Sequence, residues 1–419
     1  MSGDRVEGLS IEDEAIKNNI ARRHRTGKIW SALFQASTII GIITLAALLY
    51  KIINQSFVLV AIENTIEPEQ LAVEGVTLEE LSKEQLVTIL EGNVSRGLMR
   101  RLDHDRPFNE RTRENVYELV LEWVVKPKVV ETYSLYDSLF RRSAVRVEVA
   151  EKYPKASLRF TSWINPKFIR NPQSSKPEKA GVRTAILGSL WTIGIAILFT
   201  LPLGIGAAIY LEEYAGDNFI NRIIQINISN LAGVPSIVYG MLGLAIFVRA
   251  LKSLSSGTLF GLADPTAANG RTIFSAGLTL GLLILLLIII NAQEAIRAVP
   301  NALREAAYGL GATKWQTVWH HVLPSALPGI LTGTILAFSR AIGETAPLVV
   351  VGAATFITAD PSGPFSKFTV LPIQIYQWTT RPQDEFRNIA AAAIIVLLIL
   401  LLTLNATAVL LRNRYSRRV

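Results

Sequence analysis

The sequence contains no cysteine, and only four of its 419 residues are histidine. Without cysteine the chain can form neither disulfides nor metal sites that need thiolate ligands. The histidines are His24, His104, His320 and His321, and the last two are adjacent, so they point to different sides of a helix. We therefore predict that the chain has no metal site.

Sequence signatures of common enzymes are also missing. The stretch "GLGATKW" (309–315) lacks the spacing of the G-x-x-x-x-G-K-[ST] loop that cradles nucleotide phosphates. No order of Ser, His and Asp suggests a nucleophilic site. These absences argue against an enzyme and against a nucleotide or other cofactor bound by this chain.

Charged residues are scarce, at 18% of the chain, against about 25% in ordinary soluble domains. In their place half of the residues are hydrophobic, and the mean hydropathy is +0.34. This composition predicts a protein that crosses the lipid bilayer several times. The net charge of +8 is explained by Lys and Arg that fix membrane topology, so we predict no nucleic-acid partner.

Six apolar runs reach the roughly 20 residues that a helix needs to cross a bilayer. The predicted spans are residues 29–53, 185–211, 223–248, 273–295, 327–356 and 389–411. The fold class predicted is an all-α polytopic membrane protein with six transmembrane helices. The first run has no clear cleavage site, so we interpret it as a retained anchor rather than a signal peptide.

Basic residues at both ends of the chain predict its orientation. They are Arg22, Arg23, Arg25 and Lys28 before the first span and Arg412, Arg414, Arg417 and Arg418 after the last. Cytoplasmic flanks are rich in Lys and Arg, so we expect both termini in the cytoplasm. The predicted parts are tails at 1–28 and 412–419, the first span at 29–53, an extracytoplasmic insertion domain at 54–180 and a transmembrane domain at 181–411. Within the insertion, Thr77 and Glu80 predict the capped start of a helix.

The loop before the fifth span, "VPNALREAAYGLGATKWQTVWHHVLPSALPGI" (299–330), carries the strongest local signal. Pro300 suits a helix start, and Gly311 offers a left-handed end after residues 301–310. Thr313 and Gln316 form a capping box for a second helix, which we expect to stop at Pro324. The loop is therefore predicted to be a helix, a glycine turn and a helix.

The spacing of six residues in this loop resembles the EAA loop of ABC importer permeases. These residues are Glu305, Ala306, Ala307, Gly311, Leu323 and Pro324. The resemblance implies that residues 299–326, hereafter the coupling loop, are gripped by an ATPase subunit.

Three further stretches resemble the PstA type of phosphate importer permease. They are "SLWTIGIAILFTLPLGIGAAIYLEEY" (189–214), "NLAGVPSIVYGMLGL" (230–244) and "SRAIGETAPLVVVGA" (339–353). The similarity covers about residues 180–411, whereas the insertion departs from the shorter family members. It implies a sister permease PstC, a dimer of the ATPase PstB that binds ATP and Mg, and a periplasmic phosphate-binding protein.

Arg340 and Glu344 stand one helical turn apart in the predicted fifth span. A charge near the bilayer midplane costs at least ~2.5–3.5 kcal/mol, so both side chains must face other helices, water or a ligand. They either neutralise each other as a structural pair or serve the substrate pathway, which we extend to Thr345. The family resemblance also places a transport-critical arginine at position 340.

Span three contains Gly233 and Pro235, and span two contains Pro202, which we expect to kink these helices. Asn230, Ser236 and Tyr239 are candidates for lining the pathway. The function predicted is a permease subunit of an ATP-driven phosphate importer in the inner membrane. The alternatives are an ABC permease for sulfate or molybdate, a secondary transporter or channel, and a membrane-anchored interaction protein.

Overall fold

The computed structural model describes residues 4–73, 75–262, 264, 269–353 and 356–416. The described chain is mostly helical and divides into two compact units, residues 1–54 and 55–419. The described residues of the first unit all belong to helix α1 (Asp4–Ser56), which contains the first predicted span and ends two residues into the second unit. Many apolar side chains in its described part are exposed, among them Trp30, Phe34 and Leu45. This exposure fits a helix whose surroundings are lipid or other apolar surface.

The insertion between the first two spans contains both helices and strands. Its elements are β1 (Phe57–Glu63), α2 (Lys83–Asn93), α3 (Arg96–Asp105), α4 (Arg113–Val120), β2 (Lys128–Tyr133), α5 (Leu135–Phe140), α6 (Arg142–Lys152), β3 (Ser157–Ser162) and α7 (Pro166–Arg170). The strands form one antiparallel sheet in the order β2-β1-β3. The all-α prediction is therefore wrong for this region, because "FVLVAIE" is rich in β-branched and aromatic residues and leaves the helical conformation directly after α1.

The central strand β1 is buried on both of its faces. Val58 and Val60 belong to a cluster that also contains Leu371, Trp378 and Phe386 near the end of the chain. The alternate residues Leu59 and Ala61 pack in a second cluster with Tyr133 and with Val145 and Val149 of α6. Burial on both faces explains why this strand is almost continuously apolar rather than alternating. The insertion therefore shares its core with the helices that follow it.

The first long helix of the insertion starts five residues later than predicted. Ser82, not Thr77, caps α2: its side chain accepts from the Gln85 backbone, and the Gln85 side chain accepts from the Ser82 backbone N–H. Thr77 instead begins a turn that is closed by the bond from Glu80 N to Thr77 O. Thr77 with Glu80 and Ser82 with Gln85 both fit the S/T-x-x-E/Q pattern. The helix begins after Ser82, where it buries Leu86, Ile89 and Leu90.

Eleven α-helices follow in the described part of the chain after the insertion. They are α8 (Arg183–Ile209), α9 (Phe219–Leu231), α10 (Ser236–Gly243), α11 (Lys252–Ser255), α12 (Ile273–Arg297), α13 (Asn301–Gly309), α14 (Lys314–Thr317), α15 (Leu323–Gly343), α16 (Ala346–Val351), α17 (Leu371–Thr379) and α18 (Asp384–Ser416). Turns of π-helix extend α8 to Tyr214 and α10 to Ala250, and another joins α14 to α15.

Five helices of the described chain are long and apolar enough to cross a membrane, and a sixth candidate span is a bent pair. This pair, α9 and α10 with its π-helical extension, bends by 110°. The predicted kink at Gly233 and Pro235 is confirmed, but it is a full break, so residues 223–248 do not form one continuous helix. In a continuous helix the Pro235 ring would clash with the Leu231 carbonyl, and the helix ends at Leu231. Pro202, by contrast, lies inside α8, which continues without interruption to Ile209.

Helix α12 lies at the centre of the transmembrane part and packs against α8, α10, α15 and α16. Small residues make its close contacts possible, because a side chain at Gly277 would collide with Ile195 and one at Gly333 of α15 would collide with Asn291. Helices in membranes pack closely where such small residues meet. This central packing positions the breaks in the neighbouring spans.

Candidate functional site

The charge pair lies where the predicted fifth span is interrupted. Helix α15 ends at Gly343, Glu344 has extended backbone angles, and α16 restarts at Ala346. The prediction of one helix over 327–356 is therefore wrong. The cause is Pro347, which has no N–H to donate to the Gly343 carbonyl and whose ring would clash with it in a continuous helix. Arg340 thus occupies the last turn of a helix instead of the middle of one.

Arg340 and Glu344 still contact each other across this helix end. The Arg340 Nε atom lies 3.3 Å from Glu344 Oε1. The arginine side chain is 51% exposed and the glutamate only 17%. One edge of the guanidinium is thus engaged by the carboxylate, while the rest of the planar group is open to a ligand or water.

The breaks in the third and fifth spans are joined by packing. A side chain at Gly240 of α10 would lie 2.7 Å from Pro347 Cα, so the two backbones are in direct contact. Val234, Tyr239, Ala341 and Leu348 belong to the same apolar cluster. Non-helical backbone at membrane depth is tolerated only where protein buries it or where it lines a water-filled cavity. The half-exposed Arg340 beside such breaks favours a location at a cavity.

The remaining candidate pathway residues lie in different surroundings. Thr345 separates α15 from α16 and is half-buried. Asn230 is exposed near the end of α9, and Ser236 is half-buried at the first position of α10. Tyr239 is buried, and its hydroxyl donates to the Leu231 carbonyl at 2.5 Å, across the break. Tyr239 therefore holds the bent third span together.

The coupling loop has the helix, turn and helix predicted for it. Helix α13 is followed by Gly311 in the left-handed conformation, with φ of 82°. Thr313 and Gln316 form the capping box of α14. Glu305 and Ala306 are exposed on α13, whereas Ala307 is buried.

A broader apolar surface adjoins these exposed positions of the coupling loop. Leu310 is 90% exposed, and the exposed rings of Trp315 and Trp319 stack with centroids 5.4 Å apart. This projecting surface suits contact with a partner, because large exposed apolar groups mark interaction sites.

The second helix does not stop at Pro324 as predicted. It runs from Lys314 through a π-helical turn, Val318–Val322, into α15 and on to Gly343. In the π-helical turn the Leu323 N–H bonds to the Val318 carbonyl, one residue further back than in an α-helix. This change directly precedes Pro324, which has no N–H to place in the ladder. Leu323 and Pro324 lie at the start of α15 and are half-buried.

Sequence reasoning missed a polar network at the coupling-loop end of the molecule. Arg304 of α13 donates through Nε and Nη2 to Glu213 Oε1, at 3.1 and 2.8 Å, and both side chains are largely buried. Beside it, Arg297 donates from two nitrogens to the two carboxylate oxygens of Glu212. The Gln293 amide also donates to Glu212. The available signal concerned only the Arg297 pair: two glutamates end the second apolar run, and Arg297 lies just after the fourth.

Among the described residues, no three or more His, Asp or Glu side chains are grouped so that they could hold a metal ion. The chemistry of the described site is therefore that of an arginine, a carboxylate and neutral polar groups beside helix breaks. Such a site can hold an anion by hydrogen bonding and charge.

The fold and the site together define a multi-span helical membrane protein with a broken-helix site and a projecting loop. The model of the family described as "binding-protein-dependent transport system inner membrane component" matches residues 200–419. The chain belongs to this family, as its sequence predicted. It is the permease component of an ABC transporter, a multi-pass inner-membrane protein that partners ATPase subunits and a binding protein. It is not itself an enzyme, and such subunits carry no cofactor.

Curated relatives include both kinds of phosphate permease. The chain is 37% identical over 240 residues to the phosphate transport system permease protein PstA 1 of Mycobacterium tuberculosis (strain CDC 1551 / Oshkosh), covering 56% of this chain and 72% of that protein. It is 35% identical over 214 residues to the phosphate transport system permease protein PstC of Pasteurella multocida (strain Pm70), covering 47% and 67%. A solved structure of the MetNI methionine ABC transporter aligns with a TM-score of 0.42 at 17% identity, over 58% of this chain and 99% of that one.

Proposed function

We propose that this chain forms one half of the translocation pathway of an ATP-driven importer of inorganic phosphate. In this proposal it pairs with a PstC-type sister permease, is driven by a dimer of PstB-type ATPase subunits, and receives phosphate from a periplasmic binding protein. The phosphate permeases among its relatives support the choice of substrate.

The observation that carries the proposal is the open guanidinium of Arg340 at the helix break. A guanidinium offers parallel N–H donors that match two oxygens of a phosphate group. Glu344, 3.3 Å from Nε, serves as the resting counter-ion when no anion is present. When phosphate binds, the remaining donors of Arg340 are free to engage it. The half-exposure of Arg340 supports this role, because its exposed donors can reach an anion.

Glu344 also supports phosphate over sulfate and molybdate, the rival oxyanions. A carboxylate accepts hydrogen bonds, and phosphate at neutral pH keeps a protonated oxygen that can donate one. Sulfate has no such proton and would place an unprotonated oxygen beside a carboxylate. Thr345 follows Glu344 at the break and is proposed to line the same route.

The coupling loop is proposed to receive the ATPase. Glu305, Ala306 and Gly311 lie on its exposed side, with Leu310 and the stacked tryptophans beside them. Ala307 is buried on α13, and Leu323 and Pro324 are half-buried at the start of α15. A short projecting helix of this kind suits a groove on a partner.

The test is transport by the purified four-component assembly in proteoliposomes. Radiolabelled phosphate should accumulate only with ATP and the binding protein present, and excess unlabelled sulfate or molybdate should leave the rate unchanged. Competition by sulfate or molybdate as strong as that by unlabelled phosphate would assign the pathway to another oxyanion. ATP-independent uptake by this chain alone would support a secondary transporter.

A further inference from the structure

The buried ion pair between Arg304 and Glu213 joins three parts of the molecule. Arg304 belongs to α13 of the coupling loop, and Glu213 lies in the π-helical turn that ends the second span. The same guanidinium donates from Nη1 to the Val299 carbonyl at 2.7 Å and from Nη2 to the Ile296 carbonyl at 3.0 Å. Ile296 lies in the last turn of α12, and Val299 lies in the short linker between α12 and α13. One side chain therefore connects the coupling helix to the ends of α8 and α12.

Its geometry makes this connection stiff. The side chains of Arg304 and Glu213 are only 15% and 6% exposed, so water does not readily replace the lost bonds if they separate. Guanidinium is planar, and four of its contacts here point in fixed directions. Cationic groups at a helix C-terminus are also favoured by the helix dipole. A displacement of α13 must therefore carry the ends of both spans with it or break these bonds.

The two connected helices lead to the candidate pathway. Helix α12 packs against α15, which carries Arg340, and against α10 and α16 at the two breaks. We infer that Arg304 and Glu213 form the mechanical connection through which movement of α13 is transmitted to α8 and α12, and so to the pathway. The inference rests on the proposed function, because it takes the coupling loop to be the part that the ATPase moves. Arg304 is thus a positioning residue that does not touch the substrate.

The neighbouring pair of Arg297 and Glu212 supplies a matched control. It has the same chemistry and joins α12 to the end of the second span, but it includes no residue of α13. Its arginine is also 68% exposed. Removing it should disturb the same region without uncoupling the loop from the spans.

The experiment replaces each pair by apolar residues of similar volume in the full assembly, as Arg304→Met with Glu213→Leu and as Arg297→Met with Glu212→Leu. Such neutral replacements of a buried pair commonly preserve folding, whereas removal of one partner does not. The measurements are ATPase co-purification, ATP hydrolysis stimulated by the binding protein, and phosphate imported per ATP.

For the Arg304 and Glu213 replacement we expect retained ATPase association and at least about a fivefold loss of phosphate imported per ATP, the lower end of usual coupling effects. The control replacement should stay within about twofold of the unmodified assembly. An unchanged ratio in the Arg304 and Glu213 replacement would overturn the inference, as would an equal loss in the control. If the double replacement fails to assemble, Arg304→Lys provides the test instead. Lysine keeps the positive charge but not the planar set of parallel donors. Unchanged phosphate import per ATP in Arg304→Lys would again overturn the inference.

Failure of the proposed function itself has a different signature. If phosphate is not the substrate, the unmodified assembly imports none. If the coupling loop does not bind the ATPase, Gly311→Asp, which places a carboxylate in the turn of that loop, leaves ATPase co-purification intact. Neither result resembles uncoupling confined to the Arg304 and Glu213 replacement.

Discussion

A single arginine distinguishes the candidate pathway from the apolar spans around it. Arg340 is held by one hydrogen bond to Glu344 and is otherwise half exposed. Its neighbour Ser339 is used differently, since its hydroxyl donates to Asn405 of α18 at 2.7 Å and so fixes two helices together. At the end of α15, Ser339 thus serves helix packing, whereas Arg340 serves the proposed pathway.

Replacing Arg340 tests whether the guanidinium binds the anion. Arg340→Gln should lower phosphate uptake at least about tenfold while the complex still assembles, because a hydrogen bond to a charged group contributes about 1.5–3 kcal/mol. Arg340→Lys should recover little, since an ammonium cannot offer two parallel donors. Uptake in proteoliposomes, normalised to reconstituted protein, is the measurement.

The double replacement Arg340→Leu with Glu344→Leu is the control for a purely structural pair. It removes both charges, so no unpaired carboxylate remains in the mostly buried position of Glu344. We expect an assembled but inactive transporter. Substantial uptake by this double variant would show that the pair only stabilises the helix break.

At the scale of elements, the two broken spans meet at a close glycine contact. Gly240 of α10 faces Pro347 of α16 so closely that any side chain must push the backbones apart. Gly206 of α8 has no atom within 4 Å of the position that its Cβ would take. The two glycines are therefore a matched pair for the same substitution.

Gly240→Ala should destabilise the transmembrane part by about 1–3 kcal/mol, as overpacking does, and should reduce phosphate uptake by shifting the break that carries Glu344. Gly206→Ala should leave both unchanged, because its methyl group meets open space and alanine favours helix. Thermal unfolding of the purified complex and uptake measure the two effects. Equal behaviour of the two variants would mean that the α10–α16 contact does not position the site.

Elements whose signals are local were predictable from the sequence. The left-handed turn at Gly311 and the capping box at Thr313 depend on residues within one turn of helix, and both are present. The break at Pro235 was predicted only as a kink, because the size of a bend depends on tertiary packing such as that of Tyr239 against Leu231. The break before Pro347 was not predicted. The pairing of Arg304 with Glu213 joins residues 91 positions apart, and no periodicity or motif reports such a contact. The sheet was missed because its central strand directly follows the first span.

At the scale of the whole molecule, topology depends on the bent third span. Helix α9 is about 20 Å long and α10 with its extension about 22 Å, so neither alone crosses a hydrocarbon core of about 30 Å. If the pair crosses, the chain has six crossings and both termini lie on one side. If it returns to its own side, the C-terminus lies on the same side as the insertion.

Single cysteines decide between these topologies, and the chain contains none to interfere. We predict that Glu91→Cys in the insertion reacts with a membrane-impermeant maleimide in spheroplasts, whereas Asn413→Cys reacts only after permeabilisation. Both positions are exposed, and neither caps a helix as Ser82 does. Labelling of both in intact spheroplasts would indicate five crossings, with α9 and α10 re-entrant.

The central strand β1 is the first strand of the insertion to be synthesised, but one of its faces is fully covered only by the last helices of the chain. β1 leaves the ribosome directly after α1, but its sheet partners are residues 128–133 and 157–162. One of its faces is covered by residues as late in the chain as Leu371 and Ala393. During synthesis β1 therefore has no complete sheet until residue 162 is made. Its Val58 and Val60 face stays incompletely covered and prone to association until the final helices exist. A permease truncated before residue 371 cannot fully cover this face of β1, so its exposure distinguishes unfinished chains from complete ones.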